Sequence, residues 1–254
     1  MLFLFSTIRN GLFSVVFLFF IFGGLAMNKV KCKQLTIKLI FFFLGVWIIQ
    51  TGVALFIGAD IGSDPFTVFT LGLAKIFNIT PGLGNMIITF TFLVIIFIFS
   101  RKSINIGTVL AMISAGPFID LMNNTFKVIP FAEFNYLTKV LVLILSCVII
   151  AIGFSMLKAT DLGVAPNDLI PFIIAEFSKK EYRWVRVCMD ITLFVIGYFL
   201  GGINRDAGIS AFGGTVIAAL LTGPFIQFFM PKLEKFVHKC IYVGEDCSSD
   251  SIAE

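Results

Sequence analysis

The stretch from Lys38 to Ala59, KLIFFFLGVWIIQTGVALFIGA, is apolar on every side. A bilayer core of about 30 Å is crossed by about 20 helical residues, so this run is long enough to span. Comparable runs recur near 2–26, 35–58, 81–100, 105–123, 136–157, 182–201 and 208–230. Six or seven spans would fill the chain and leave no room for a soluble domain. A transmembrane barrel would instead be written as alternating segments of about ten residues. Only 13% of the residues are charged, against about 25% in soluble domains. The fold expected is all-α: a polytopic helical membrane protein.

An internal duplication organises those spans. Gly52, Asp60, Gly62, Pro65 and Ala74 recur 101 residues later as Gly153, Asp161, Gly163, Pro166 and Ala175. GTVLAMISAGPFI (107–119) recurs 107 residues later as GTVIAALLTGPFI (214–226), with Gly, Thr, Val, Ala, Gly, Pro, Phe and Ile identical. Each copy reads as a span, an Asp-x-Gly-x-x-Pro break, a short helix (65–77; 166–177) and two further spans. A 13-residue helix rises only about 20 Å, so the short piece is read as re-entrant or interfacial. Three crossings per copy is an odd number, which predicts that the copies enter the membrane from opposite sides. The expected organisation is an extra apolar segment (1–27), repeat 1 (28–130), repeat 2 (131–230) and a cytoplasmic polar tail (231–254). The first segment reads as an additional span or a start codon assigned too early, ahead of a signal peptide.

Charge placement gives the orientation. Counting spans from residue 35 puts Lys29, Lys31, Lys33 and Lys38, Arg101 and Lys102, Lys158, Lys179, Lys180 and Arg183, and Lys232, Lys235 and Lys239 on one side. The other side receives Lys75, Lys127, Lys139 and Arg205 with Asp60, Asp64, Glu133 and Asp206. Lys and Arg gather on the cytoplasmic face, so both ends of the six-span core are expected inside. The net charge of +4 is absorbed by this asymmetry and points to no nucleic acid.

The breaks are the candidate site. Asp60 and Asp161 end one helix, Gly62 and Gly163 permit a sharp turn, and Pro65 and Pro166 open the next helix at its first position. The unpaired amides and positive dipole end of a half-helix suit an anionic group on a solute. The second span of each copy adds polar residues four apart: Asn85 and Thr89, matched by Arg186 and Asp190. An ionisable residue inside a span is a functional hypothesis by default, although Arg186 and Asp190 at i,i+4 also suit each other. Gly116-Pro117 and Gly223-Pro224 lie inside spans, where a static kink that aids packing is favoured over a hinge. Asp120 in the first copy is Gln227 in the second.

Catalytic chemistry has no foothold. The single histidine, His238, lies in the tail, and no G-x-S-x-G, H-E-x-x-H or Walker loop occurs. The five scattered cysteines form no disulfide or metal pattern. No enzyme and no cofactor are expected.

The segments ADIGSDPF, GTVLAMISAGPFIDL, TDLGVAPND and GTVIAALLTGPFIQ together resemble the YczE/YyaS/YitT family of bacterial integral membrane proteins, over roughly residues 35–230. Members of the YitT type often carry a soluble C-terminal domain. With only the polar tail after residue 230, the chain is more similar to the YczE-like branch. The resemblance implies a membrane location and a permease-like role.

The function expected is a secondary transporter of a small solute, an anionic one suiting the helix ends. The rival is a membrane-embedded solute-binding or regulatory protein without transport of its own. The partners expected are the lipid bilayer, the solute, and a second copy or an energising protein. Substrate-binding candidates are Asp60, Gly62, Pro65, Asn85, Asp161, Gly163, Pro166, Arg186 and Asp190. The topology has a direct check. Single cysteines at Asn124 and Ser178 should react with an impermeant maleimide from opposite sides; labelling of both from outside would overturn the inverted arrangement.

Overall fold

Proline and left-handed residues set the helix boundaries. A computed structural model describes residues 29–202 and 209–241, so the expectations for 1–27 fall outside the described residues. The described residues form eight α-helices and no strand: α1 (Lys29–Ala59), α2 (Pro65–Phe77), α3 (Pro81–Phe99), α4 (Ile106–Phe126), α5 (Tyr136–Lys158), α6 (Pro166–Ser178), α7 (Tyr182–Phe199) and α8 (Ile209–Ile241). Pro opens α2, α3 and α6, where its missing N–H is no loss. Asp64 and Thr80 cap α2 and α3 by accepting from Thr67 N at 3.1 Å and Leu83 N at 3.2 Å.

Five of these helices contain stretches long and apolar enough to cross a membrane: Lys33–Ala59, Pro81–Phe99, Ile106–Phe126, Tyr136–Lys158 and Gly213–Ile241. The sequence predicted six or seven. α7 is not among the five because Arg183, Arg186 and Asp190 lie within its 18 residues; the run at 2–26 lies outside the described residues. The polar segment expected from 231 begins as a continuation of α8, which passes Pro224 and Pro231 and runs on to Ile241.

The backbone repeats itself at the spacing read in the sequence. Asp60 and Asp161 have φ of 53° and 56°, Gly62 and Gly163 have 124° and 126°, and Asn78 and Lys179 have 50° and 53°. Each pair is 101 residues apart. At φ near 125° only glycine is comfortable, which is why both breaks keep it. The Asn78 and Lys179 amides close their helices onto the carbonyls of Ala74 and Lys75, and of Ala175 and Glu176.

α1 and α5 pack backbone to backbone at the centre. A Cβ on Gly45 would stand 2.9 Å from Gly153 O, one on Gly153 would stand 2.8 Å from Gly45 O, and one on Gly52 would stand 3.0 Å from Ser146 O. Numbers rise along one helix as they fall along the other, so the pair is antiparallel. Moving 101 residues takes Gly45 to Ser146 and Gly52 to Gly153, so the two contacts are one contact made twice. Without a hydrophobic drive between spans in lipid, close approach of small residues provides the van der Waals contact that joins helices. Apolar clusters lie beside this seam: Phe42, Val46 and Leu157 with Leu110, Ala111 and Ala115 of α4; and Phe56, Ala59, Ile61, Leu143 and Cys147 with Ala218 of α8.

Each break is held by the start of the other half's last helix. Gly107 N donates to Leu162 O at 3.0 Å. Gly214 lies flat on Ile61 O, where a Cβ would approach to 1.9 Å, and Thr215 Oγ1 accepts from Ser63 N at 3.4 Å. These contacts also correspond under the repeat. They satisfy unwound backbone that lipid cannot satisfy.

Adding one methyl at the seam should be costly. Gly153→Ala is expected to destabilise by about 1–3 kcal/mol, the usual range for overpacking, and Gly45→Ala similarly. Gly223→Ala, with nothing within 4 Å of the new Cβ, should be neutral or stabilising by up to about 1 kcal/mol through helix propensity. Thermal unfolding in detergent reads all three; equal behaviour of the three variants would remove the seam's special role.

Candidate functional site

The N-terminal ends of α2 and α6 open on one cavity of about 580 Å³, walled by residues of all eight helices. α2 contributes Pro65, Phe66 and Thr67, with Asp64 just ahead of it, and α6 contributes Asn167 and Asp168, preceded by Val164 and Ala165. Asn85 and Thr89 come from α3, Arg186 and Asp190 from α7, and Gln50 and Lys158 from α1 and α5. α8 adds Thr222, Gly223 and Gln227 among apolar neighbours.

One guanidinium organises the charged side. Arg186 Nη1 donates to Asp168 Oδ1 at 3.1 Å and its Nε to Asp190 Oδ2 at 3.2 Å. The side chains of Arg186, Asp168 and Asp190 are 33%, 19% and 25% exposed. Asp64 accepts from both the amide and the hydroxyl of Thr67. The hydroxyl of Thr89 bonds back to Asn85 O at 2.7 Å, and that of Thr222 to Ala218 O at 2.7 Å; such back-bonding satisfies a hydroxyl within its own helix. Asn85 is buried, and its Oδ1 has no hydrogen-bond partner.

The duplicated positions carry different chemistry. Asn85 and Thr89 correspond to Arg186 and Asp190, Thr67 to Asp168, and Asp64 to Ala165. The first half gives a neutral wall with one carboxylate at its helix cap; the second gives the ion triad.

Of the residues singled out from sequence, Pro65, Asn85, Arg186 and Asp190 lie in the cavity wall. Asp60 and Asp161 do not: they end α1 and α5 in the left-handed conformation and are exposed. Asp161 Oδ2 instead lies 3.6 Å from His238 Nε2 of α8. Gly62 and Gly163 form the turns, and buried Pro166 opens α6 beside the wall without lining it. These five residues shape the break and leave contact with the cavity to others. Sequence reading missed Asp64, Thr67 and Asp168, although all three stand inside or just beyond the repeated motif. Their signal was positional: the cap and first turn of a half-helix face the same space as its open amides. Gln50 and Lys158 had no such signal, since only packing brings them to the cavity wall.

Residues 36–231, which include both breaks and every residue of the cavity wall, match a family described as "Family of unknown function (DUF6198)". The chain belongs to this family. Its relatives include the uncharacterized membrane protein YczE of Bacillus subtilis (strain 168), 31% identical over 206 residues that cover 79% of this chain and 88% of YczE. YyaS of the same organism, also an uncharacterized protein, is 27% identical over 199 residues, covering 78% of this chain and 94% of YyaS. An uncharacterized protein of Haemophilus influenzae is 24% identical over 205 residues, covering 80% and 87%. No solved structure matches. The YczE/YyaS family membership read from the repeated motifs therefore stands, and YczE and this chain share the character of a membrane protein.

The triad predicts an order of stabilities. Arg186→Gln leaves two carboxylates facing each other and should cost about 1–3 kcal/mol, less than the about 3–5 of a fully buried pair, because the three groups keep some solvent. Asp168→Asn or Asp190→Asn should cost less, since the guanidinium retains the other partner. Arg186→Gln combined with Asp190→Asn should recover part of the loss. Melting temperatures in detergent check the order; an additive double variant would dissolve the triad as a unit.

Proposed function

We propose that the protein is a permease of the bacterial cytoplasmic membrane, a secondary transporter of a small solute built from two inverted halves. The observation that carries this reading is the cavity on which both short helices open. Broken helices in matching positions of two halves, with their ends turned to a shared polar site, are the arrangement that transporters use to hold a solute at mid-membrane. The antiparallel α1–α5 pair supports the inversion, since these helices are counterparts and run in opposite senses. On this reading α7, which turns Arg186 and Asp190 to the cavity, serves as the sixth span. The positive clusters support a cytoplasmic location for both ends of the core.

A difference between the halves supports alternating access. α3 and α4 lie together: a Cβ on Gly82 would stand 2.1 Å from Gly116 O, and Asp120 accepts from Gly82 N at 2.8 Å and from the Thr80 hydroxyl at 2.7 Å. In the other half α8 stands off from α7, Gly223 has open space where its counterpart Gly116 is packed, and Gln227, the counterpart of Asp120, borders the cavity. One helix pair is shut and its counterpart is apart. Transport follows if the two pairs exchange these arrangements, the symmetry making each state the image of the other.

The experiment uses proteoliposomes containing this protein alone. Met86 of α3 lies against Gly116, and the matching pair in the second half is Val187 and Gly223. Cysteines at Val187 and Gly223, in a variant lacking the native cysteines, should cross-link during turnover and block metabolite uptake until reductant is added. Uptake that persists in the cross-linked protein would refute the exchange. Tight solute binding without any uptake would favour the non-transporting binding protein instead.

A further inference from the structure

We propose that the cavity takes an uncharged solute with a carboxamide-like group, an amide or ureide, on an apolar body. This rests on the reading of the cavity as a solute site and names the class of solute.

The charges of the wall are answered within the protein. Arg186 lies between Asp168 and Asp190 and bonds to both. Asp64 accepts from the amide and the hydroxyl of Thr67 at the start of α2, and Asp168 stands in the first turn of α6. A helix N-terminus is equivalent to about half a positive charge. With Lys158, exposed at the end of α5, the wall sets three carboxylates against two cationic side chains and two helix N-termini. Neither sign is left in excess. A charged solute would have to displace one of these partners or be buried without one, and burying an unpaired charge is far costlier than burying a hydrogen-bonded neutral group.

What the wall leaves unmatched is neutral. Gln50 of α1 and Asn85 of α3 both line the cavity and are only 7% and 9% exposed. No hydrogen bond joins either side-chain amide to another described residue. In Asn85 the carbonyl Oδ1 is enclosed, which leaves the Nδ2 donor as the atom it offers to the cavity. Neither polar atom of Gln50 is enclosed in this way, so Gln50 offers one acceptor and an NH2 donor side by side. A solute amide, with its own C=O and N–H side by side, can pair with Gln50 in both senses. Its carbonyl keeps a second lone pair for Asn85 Nδ2. Under the repeat these two positions become Ala151 and Arg186, so the neutral pair belongs to the first half alone. The remainder of the wall is mostly apolar, with Phe154, Phe172 and Met230 among it, which suits a hydrocarbon body. A volume of about 580 Å³ lies within the range of about 300–1,000 Å³ typical of small-molecule sites.

The test uses the full chain in nanodiscs of zwitterionic lipid and four matched probe pairs: benzamide and cyclohexanecarboxamide; benzoate and cyclohexanecarboxylate; benzylamine and cyclohexylmethylamine; benzyl alcohol and cyclohexylmethanol. The amides should raise the melting temperature while the other three pairs do not. Gln50→Leu and Asn85→Leu should each weaken benzamide about tenfold, read from the concentration dependence of the shift. Both should melt no lower than the native chain without probe, because neither side-chain amide holds a protein group. Gln50→Glu, which keeps the shape and replaces the NH2 donor with a carboxylate oxygen, should lose the benzamide shift and gain one with benzylamine. Equal or greater stabilisation of the native chain by any other pair would overturn the amide class while leaving the solute site intact. No shift from any pair, in native or variant protein, would overturn the solute site and this proposal with it. Amide shifts unchanged in all three variants would also overturn it, assigning the binding to another surface.

Discussion

Two glycines facing each other's carbonyls hold the rest in place. At Gly45 and Gly153 the backbones of α1 and α5 touch with no side chain between them, and Gly52 repeats the contact against Ser146. In lipid, helices gain little from hiding apolar surface, because the solvent is as apolar as the side chains. Close backbone approach is then the main source of attraction, and it fixes the rotation and depth of one helix against the other. The clusters around Phe42 and Phe56 extend that seam to α4 and α8, and the breaks at both ends inherit their positions from it.

The breaks show how unwound backbone is tolerated where water is scarce. Each is closed by a left-handed aspartate, turned by a glycine and reopened by a proline, and each rests on the small residues that begin α8 or α4. Gly214 and Gly107 are needed because the carbonyls of Ile61 and Leu162 occupy the space a side chain would take. The cost of interrupting a helix is offset locally, by caps and by these crossed contacts, so the half-helix ends remain available to border a cavity. That cavity is chemically lopsided although the backbone around it is nearly repeated: Asn85 and Thr89 face Arg186 and Asp190. Duplication fixes geometry, and independent substitution on the two copies then gives one site two unlike walls.

The same asymmetry extends to helix packing. Gly116 is pressed against Gly82, whereas Gly223 has open space, although both belong to the same motif. In the first copy the Gly-Pro pair lies where α3 and α4 pack closely. The second copy has the same residues without the packed neighbour, so the motif by itself does not dictate which arrangement is adopted.

Much of the fold was legible in the sequence because its determinants are local. Membrane-length apolar runs, Pro at the first helical position, and Gly where φ must be positive act within a few residues, and the short helix predicted at 65–77 is α2 as observed. Repetition of those signals 101 residues apart carried the division into halves. α7 was harder, since Arg183, Arg186 and Asp190 lower its hydropathy, and that Arg186 and Asp190 line the cavity is visible only in the folded chain. The site was half legible: Arg186 and Asp190 stood out as charges in an apolar run, but Asp168 joins them through space from another helix. Asp60 and Asp161, read both as helix ends and as candidate contacts, end α1 and α5 outside the cavity wall, because where a side chain is carried depends on how the turn is made. Sequence by itself determined the helices, their breaks and their duplication. Tertiary structure alone decided which polar groups meet, because that depends on the rotation of each helix about its axis, set by contacts between residues far apart in the chain.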